Sequence, residues 1–227
     1  MLLQSVIDLP SLEVRCREAA LLACGDAAHD ALHLERVVAN ARWLLQHESA
    51  DPRVVLPAIW LHDCVHVPKH SPERSRASRL CAAHAVALLE SFSYPSALLP
   101  AVAHAVEAHS WSAGITPETL EAAVVQDADR LDSIGAVGVA RCLMLSAEMK
   151  RPLYALPDPW CEQRSADDGL SAVDHFHTKL LHLAPTFRTR AGRAEAERRT
   201  AFLRSFLSQL AHETGLGIGG AVGDLQT

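Results

Sequence analysis

The six cysteines lie far apart in the chain and form no C-x-x-C pair. Reduced thiols packed in a cytosolic core are therefore expected, rather than a disulfide framework. The opening stretch "MLLQSVIDLPSLEVR" has neither a basic region nor a long apolar centre, so it does not read as a signal peptide. No apolar run reaches membrane-spanning length, and a cytoplasmic location without membrane association is expected. Asn-Gly and Asp-Gly hairpin signals are missing, and no segment alternates convincingly as a strand. Positive charge is not in excess: the formal net charge is −6, which argues against a general nucleic-acid binder. A small anionic substrate held by local Arg and Lys remains compatible. Aromatic side chains are scarce, with four tryptophans in all, so the sequence carries no readable preference for a base.

What is present is apolar and helical. Apolar residues make up 49% of 227 residues, enough to bury the core of one domain. They recur at three- and four-residue spacing, as in Leu32, Val37, Val38, Ala41, Leu44 and Leu45, and later in Phe202, Leu203, Phe206, Leu207 and Leu210. Asp51-Pro52 and Thr116-Pro117-Glu118 each offer a capping side chain followed by proline at the first helical position. The pattern predicts an all-α chain with helices near 11–23, 30–48, 52–65, 75–92, 97–110, 117–132, 135–149, 173–183 and 190–213. One domain over residues 1–213 is expected, with 214–227 a flexible glycine-rich tail. The loop 151–172 is long for a helical domain, and such loops are often functional or mobile.

Thirteen histidines are the unusual count, and position decides what they mean. Three stretches combine imidazole with carboxylate, "HDALHLERV" (29–37), "LHDCVH" (61–66) and "AHAVEAHS" (103–110), and a fourth, "VVQDADRLD" (124–132), offers carboxylates alone. His29 and His33 are four apart and share a helix face. His104 and His109 are five apart, roughly 140° around a helix, so only one readily faces a common site. Asp129 and Asp132 share a face, with Asp127 pointing away from Asp129. The pair His62-Asp63 ends an apolar helix, where burying both groups is costly unless they are paired or bind a metal. Mixed imidazole and carboxylate ligands suit a borderline divalent ion.

The ordered set of a histidine at 33, His-Asp at 62–63 and an aspartate at 129 within "DADRLD" resembles the HD superfamily of metal-dependent phosphohydrolases. It is similar in particular to the small bacterial single-domain members, in "HDALHLERV", "LHDCVHVPKHSPERSRAS", "AVEAHSWSAG" and "VVQDADRLDSIGAVGVAR", and in the later "DHFHTKLLHL". The likeness covers about residues 12–213. It implies an HD-type helical bundle with additional C-terminal helices, and it implies His33, His62, Asp63 and Asp129 as ligands of one divalent ion (Mn, Fe, Ni, Co, Mg or Zn). Asp63 would also contact the attacking water, and His109 would protonate the leaving group or bind substrate. Lys69, Arg74 and Arg76, in the polar stretch after His-Asp, are candidates to clamp phosphate. Lys179, one turn from His175, resembles a family position for substrate binding.

The implied activity is hydrolysis of a small phosphorylated metabolite, most simply a nucleotide, either to monophosphate and pyrophosphate or as a phosphatase. Two other classes are compatible with the fold. One is a two-metal oxygenase or phosphodiesterase, drawing on His84, His104 and His109. The other is a non-catalytic nucleotide or second-messenger sensor. The exposed helices are compatible with a homodimer.

Overall fold

The structure, a computed structural model, describes residues 7–23, 27–67, 71, 73, 76–110 and 113–217, with only the backbone of 27–30. Nine α-helices and no strand occur among these residues. None of the helices is long and apolar enough to cross a membrane. Cys16, Cys64, Cys81, Cys142 and Cys161 are all free thiols. The chain divides into two units, Met1–Asp129 with Arg188–Gly192, and Arg130–Phe187 with Arg193–Thr227.

The first unit is built around α3 (Pro52–Leu61), whose residues Val54–Leu61 are all buried. It packs against α1 (Leu9–Ala23), α2 (Ala27–Leu45), α4 (Ala77–Ser91) and α5 (Leu99–Ala108). A helix enclosed on every side is expected to be apolar all round, as this one is. Its start follows the sequence: the Asp51 carboxylate accepts from the Arg53 amide at 2.8 Å, with Pro52 in the first turn. Pro57 lies inside the helix and has no N–H to offer the Arg53 carbonyl four residues back. The Tyr94 hydroxyl fills that role, donating to Arg53 O at 2.7 Å. Tyr94→Phe is therefore expected to lower stability by about 1 kcal/mol, the net value of one hydrogen bond. A chemical denaturation curve indistinguishable from wild type would contradict this.

Three boundaries differ from the sequence reading for identifiable reasons. Helix α6 (Leu120–Leu131) starts at Leu120 and not at Pro117, because Thr119 is the cap: its Oγ1 accepts from Ala122 N at 3.1 Å. The Glu118 amide is meanwhile held by His104 Nε2 at 2.9 Å, outside any helix. Helix α3 stops at Leu61 and not at 65, and α5 at Ala108 and not at 110. In both, the histidine that follows takes a carbonyl the next turn would need.

The second unit holds α7 (Gly135–Glu148), α8 (Ala172–Thr178) and most of α9 (Arg190–Thr214). The predicted helix 173–183 is α8 followed by short 3-10 turns at Leu180–His182 and Ala184–Thr186. Phe176 and Phe206 stack with centroids 5.8 Å apart, joining α8 to α9.

The long loop is ordered by two carboxylates. Asp158 accepts from the amides of Glu162 (3.1 Å), Gln163 (2.8 Å) and Arg164 (3.0 Å). Asp174 is fully buried, and accepts two bonds from Arg164 at 2.5 and 2.9 Å, with Ser171 Oγ at 2.6 Å and Asp167 N at 2.8 Å. Burial alone would raise its pKa, but these donors hold it well below the usual carboxylate range. The folded value is thus lower than the unfolded one. The stability Asp174 contributes is full above about pH 4 and is lost as pH falls further. The melting-temperature gap between wild type and Asp174→Asn should accordingly narrow below about pH 4. A gap unchanged from pH 7 to pH 2 would count against this.

Candidate metal centre

Four helices of the first unit deliver five side chains to one place: His33 from α2, His62 and Asp63 from the end of α3, His109 from the end of α5, and Asp129 from α6. His62 and His109 are held in the same way. Each sits just past the last helical residue, with its ring Nδ1 bonded to the carbonyl three residues earlier: Ile59 O at 2.7 Å for His62 and Val106 O at 2.6 Å for His109. A carbonyl can only accept, so Nδ1 carries the proton in both rings and Nε2 is turned toward the site. His62 Nε2 is completely buried and makes no hydrogen bond.

The remaining distances are longer than tight hydrogen bonds and are compatible with donors around one ion. His62 Nε2 is 3.4 Å from Asp63 Oδ2 and 3.9 Å from Asp129 Oδ1, His33 Nε2 is 3.5 Å from Asp129 Oδ1, and His109 Nε2 is 3.6 Å from Asp63 Oδ1. All exceed an ordinary N–H···O bond. With metal–ligand bonds of about 2.1 Å, neighbouring donors of one ion stand about 3–3.5 Å apart and opposite ones about 4.2 Å. The donors form two overlapping groups, His33–His62–Asp129 and His62–Asp63–His109, each within 4.8 Å. His62 belongs to both. An orphaned, buried imidazole nitrogen flanked by two carboxylates at this spacing fits a divalent cation.

The electrostatics agree. Burial holds His62 neutral, its pKa pushed below the ordinary value. Burial would raise Asp129, but the histidines around it win: His33, His62 and His109 hold Asp129 low, and His62, His109 and His33 likewise hold the exposed Asp63 low. Burial would lower His109, yet Asp63, with help from Asp129, lifts it to about 9. Two ionised carboxylates thus demand a cation, and without a metal the proton of His109 supplies part of that charge. His62 is 0% exposed and forms the floor, whereas the Asp63 side chain is 62% exposed and stands at the mouth.

Three consecutive residues of α6 hold the candidate ligand Asp129 in register. Gln126 Nε2 donates to Ala108 O at 2.7 Å, tying α6 to the end of α5. Ala128 O accepts from Asn40 Nδ2 at 3.0 Å, tying it to α2 two turns beyond His33. Asp127, fully buried, accepts from Arg188 N (3.0 Å), Thr189 N (2.7 Å) and Thr189 Oγ1 (2.7 Å). Asn40 and Gln126 were not among the residues picked out by the sequence reading. The only available signal was polar side chains inside otherwise apolar helical stretches.

Other predicted positions fall elsewhere. Lys69 and Arg74 lie outside the described residues, as do His70 and Trp111. Arg76 is exposed at the start of α4 and pairs with Glu73 at 3.7 Å. Lys179 is exposed in the second unit, at the end of α8. His66 and His84 are exposed, and His104 is engaged by Glu118. Arg130 donates to Thr186 O and Oγ1 at 3.0 and 3.3 Å, a structural role within the second unit.

Residues 31–134 match the HD domain family, an interval that contains every residue of this centre. Over 202 residues the chain is 30% identical to the uncharacterized protein YpgQ of Bacillus subtilis, covering 87% of this chain and 90% of YpgQ. The chain belongs to the HD-domain family. Its HD fold superposes on the crystal structure of B. subtilis YpgQ in complex with ADP with a TM-score of 0.71, at 29% identity over 96% of this chain and 100% of that one. An HD-superfamily hydrolase from Bacillus thuringiensis is similar at TM-score 0.71 and 26% identity, over 91% of this chain and 97% of that one. A predicted HD-superfamily hydrolase from an uncultured Thermotogales bacterium follows at TM-score 0.60 and 26% identity, over 94% and 97%.

Proposed function

We propose that this HD-domain protein is a cytoplasmic phosphohydrolase that uses one divalent metal ion to cleave a small nucleotide. The observation that carries the reading is the buried, unpartnered Nε2 of His62 at the meeting point of His33, Asp63, His109 and Asp129. His33, His62, Asp63 and Asp129 would hold the ion. When bound, a divalent cation supplies an activated water and offsets negative charge developing at phosphorus. Asp63, whose side chain is exposed at the mouth, would also orient the attacking water. His109 would keep a proton on Nε2 and pass it to the departing oxygen, its Nδ1 being fixed by Val106 O. Arg76, with Lys69 and Arg74 in the same polar stretch after His-Asp, would bind the phosphate.

The bound ADP of the YpgQ complex supports a nucleotide as substrate class. One ion is favoured over two because both donor groups share His62, and His104, a donor the two-metal alternative would draw on, is already bonded to Glu118. The test is a panel of nucleoside mono-, di- and triphosphates with Mn²⁺, Co²⁺, Ni²⁺ or Mg²⁺, scored separately for orthophosphate and pyrophosphate. Metal-dependent release from at least one nucleotide is expected. No release with any pairing would sink the proposal.

A further inference from the structure

Gln126 stands outside the ligand set, yet the geometry points to it as a positioning residue of the metal centre, an inference that rests on the metal-binding reading above. Its side chain is 2% exposed and its Nε2 donates to Ala108 O at 2.7 Å. Ala108 is the last residue of α5, so its carbonyl is one of those a helix leaves without an intrahelical partner. The next residue is His109, whose ring hangs from Val106 O in the same final turn. Gln126 and Asp129 are three residues apart and so lie on one face of α6. That face therefore presents a ligand and grips the helix end that presents His109. Through this bond the His109 end of the centre is tied to the Asp129 end.

A second observation separates this from simple packing. Gln126 Oε1 is buried and makes no hydrogen bond. Burying an amide oxygen without a partner is unfavourable, and an apolar side chain of equal length would avoid it. The side chain is thus held through its N–H to Ala108 O alone, and its loss leaves that carbonyl without a donor and the end of α5 without this tie to α6.

The experiment compares Gln126→Met with Tyr94→Phe, which removes a hydrogen bond at the opposite end of α3, away from the centre. Co²⁺ serves as a spectroscopic probe of ligand geometry, titrated into metal-free protein. Metal-free melting temperatures are measured in parallel. Gln126→Met is expected to bind Co²⁺ about tenfold more weakly, the scale typical of groups that orient ligands, with shifted visible bands. Tyr94→Phe should melt earlier but show wild-type affinity and bands. Gln126→Leu replaces the methionine variant if that protein does not fold. Wild-type Co²⁺ affinity and bands in the Gln126 variant would overturn the positioning role alone. Equal changes in Tyr94→Phe would overturn it in favour of general destabilisation. A wild-type protein that takes up no Co²⁺ would overturn both this role and the metal-binding reading.

Discussion

His62→Ala and Asp63→Ala are expected to abolish metal-dependent hydrolysis, each by at least about 100-fold, the upper end of what groups that merely orient ligands cost. The two should differ in cause. His62 forms the floor of the site, its Nε2 aimed inward by the bond from Nδ1 to Ile59 O. Alanine there removes the donor shared by both groups and also empties a fully buried volume. Metal affinity should collapse, and the metal-free protein should lose stability as well. Asp63 is at the mouth, so its loss creates no cavity. Asp63→Ala should therefore melt close to wild type without metal, while losing both the ion and the carboxylate that faces His62 and His109. Atomic-absorption metal content, nucleotide turnover and metal-free melting separate the cases. Either variant hydrolysing at the wild-type rate would refute the assignment.

Asp127→Ala is expected to cost about 3–5 kcal/mol of folding stability, although Asp127 is not among the candidate ligands. The carboxylate accepts from two backbone amides and the Thr189 hydroxyl, and three donors left without it are worth roughly 1–3 kcal/mol each, not additively. The same hydroxyl accepts from Gly192 N at 3.0 Å, which makes Thr189 the cap of α9, reinforced by a negative charge at the helix start. Space is equally demanding: a Cβ on Gly192 would sit 2.5 Å from Asp127 Oδ2 and 2.6 Å from Thr189 Oγ1. Gly192→Ala should thus mimic much of the Asp127→Ala loss without altering any charge. Urea denaturation checks both, and a loss below about 1 kcal/mol in Asp127→Ala would contradict the structural role.

The helices were legible because apolar spacing reports burial directly, and Asp51-Pro52 begins α3 where capping chemistry places it. Their ends were less so. The carbonyl that His62 takes from Ile59 is a side-chain choice, and nothing in local spacing announces it. The turn angle between His104 and His109 correctly implied that only one would face a common site, but not which. His109 does, because its ring folds back on Val106, while His104 is spent on the Glu118 amide. That His33, His62, Asp63 and Asp129 meet was readable only through the ordered motif, since periodicity identifies a face and not its partner helix. The contacts that hold Asp129 in register, from Asn40, Gln126 and Asp127, join positions 18 to 88 residues apart, and lay beyond pattern reading. The length of the loop 151–172 marked it as functional or mobile, and spacing could not show that Asp158 and Asp174 order it through bonds to its own backbone and to Arg164.

The central claim is that His62 and its neighbours hold a catalytic divalent ion. Its most direct test is the metal stoichiometry of wild type and His62→Ala after identical loading with Mn²⁺ and desalting. About one ion per wild-type chain and none in the variant is the expected result. Equal metal content in the two proteins, or none in wild type, would contradict the account.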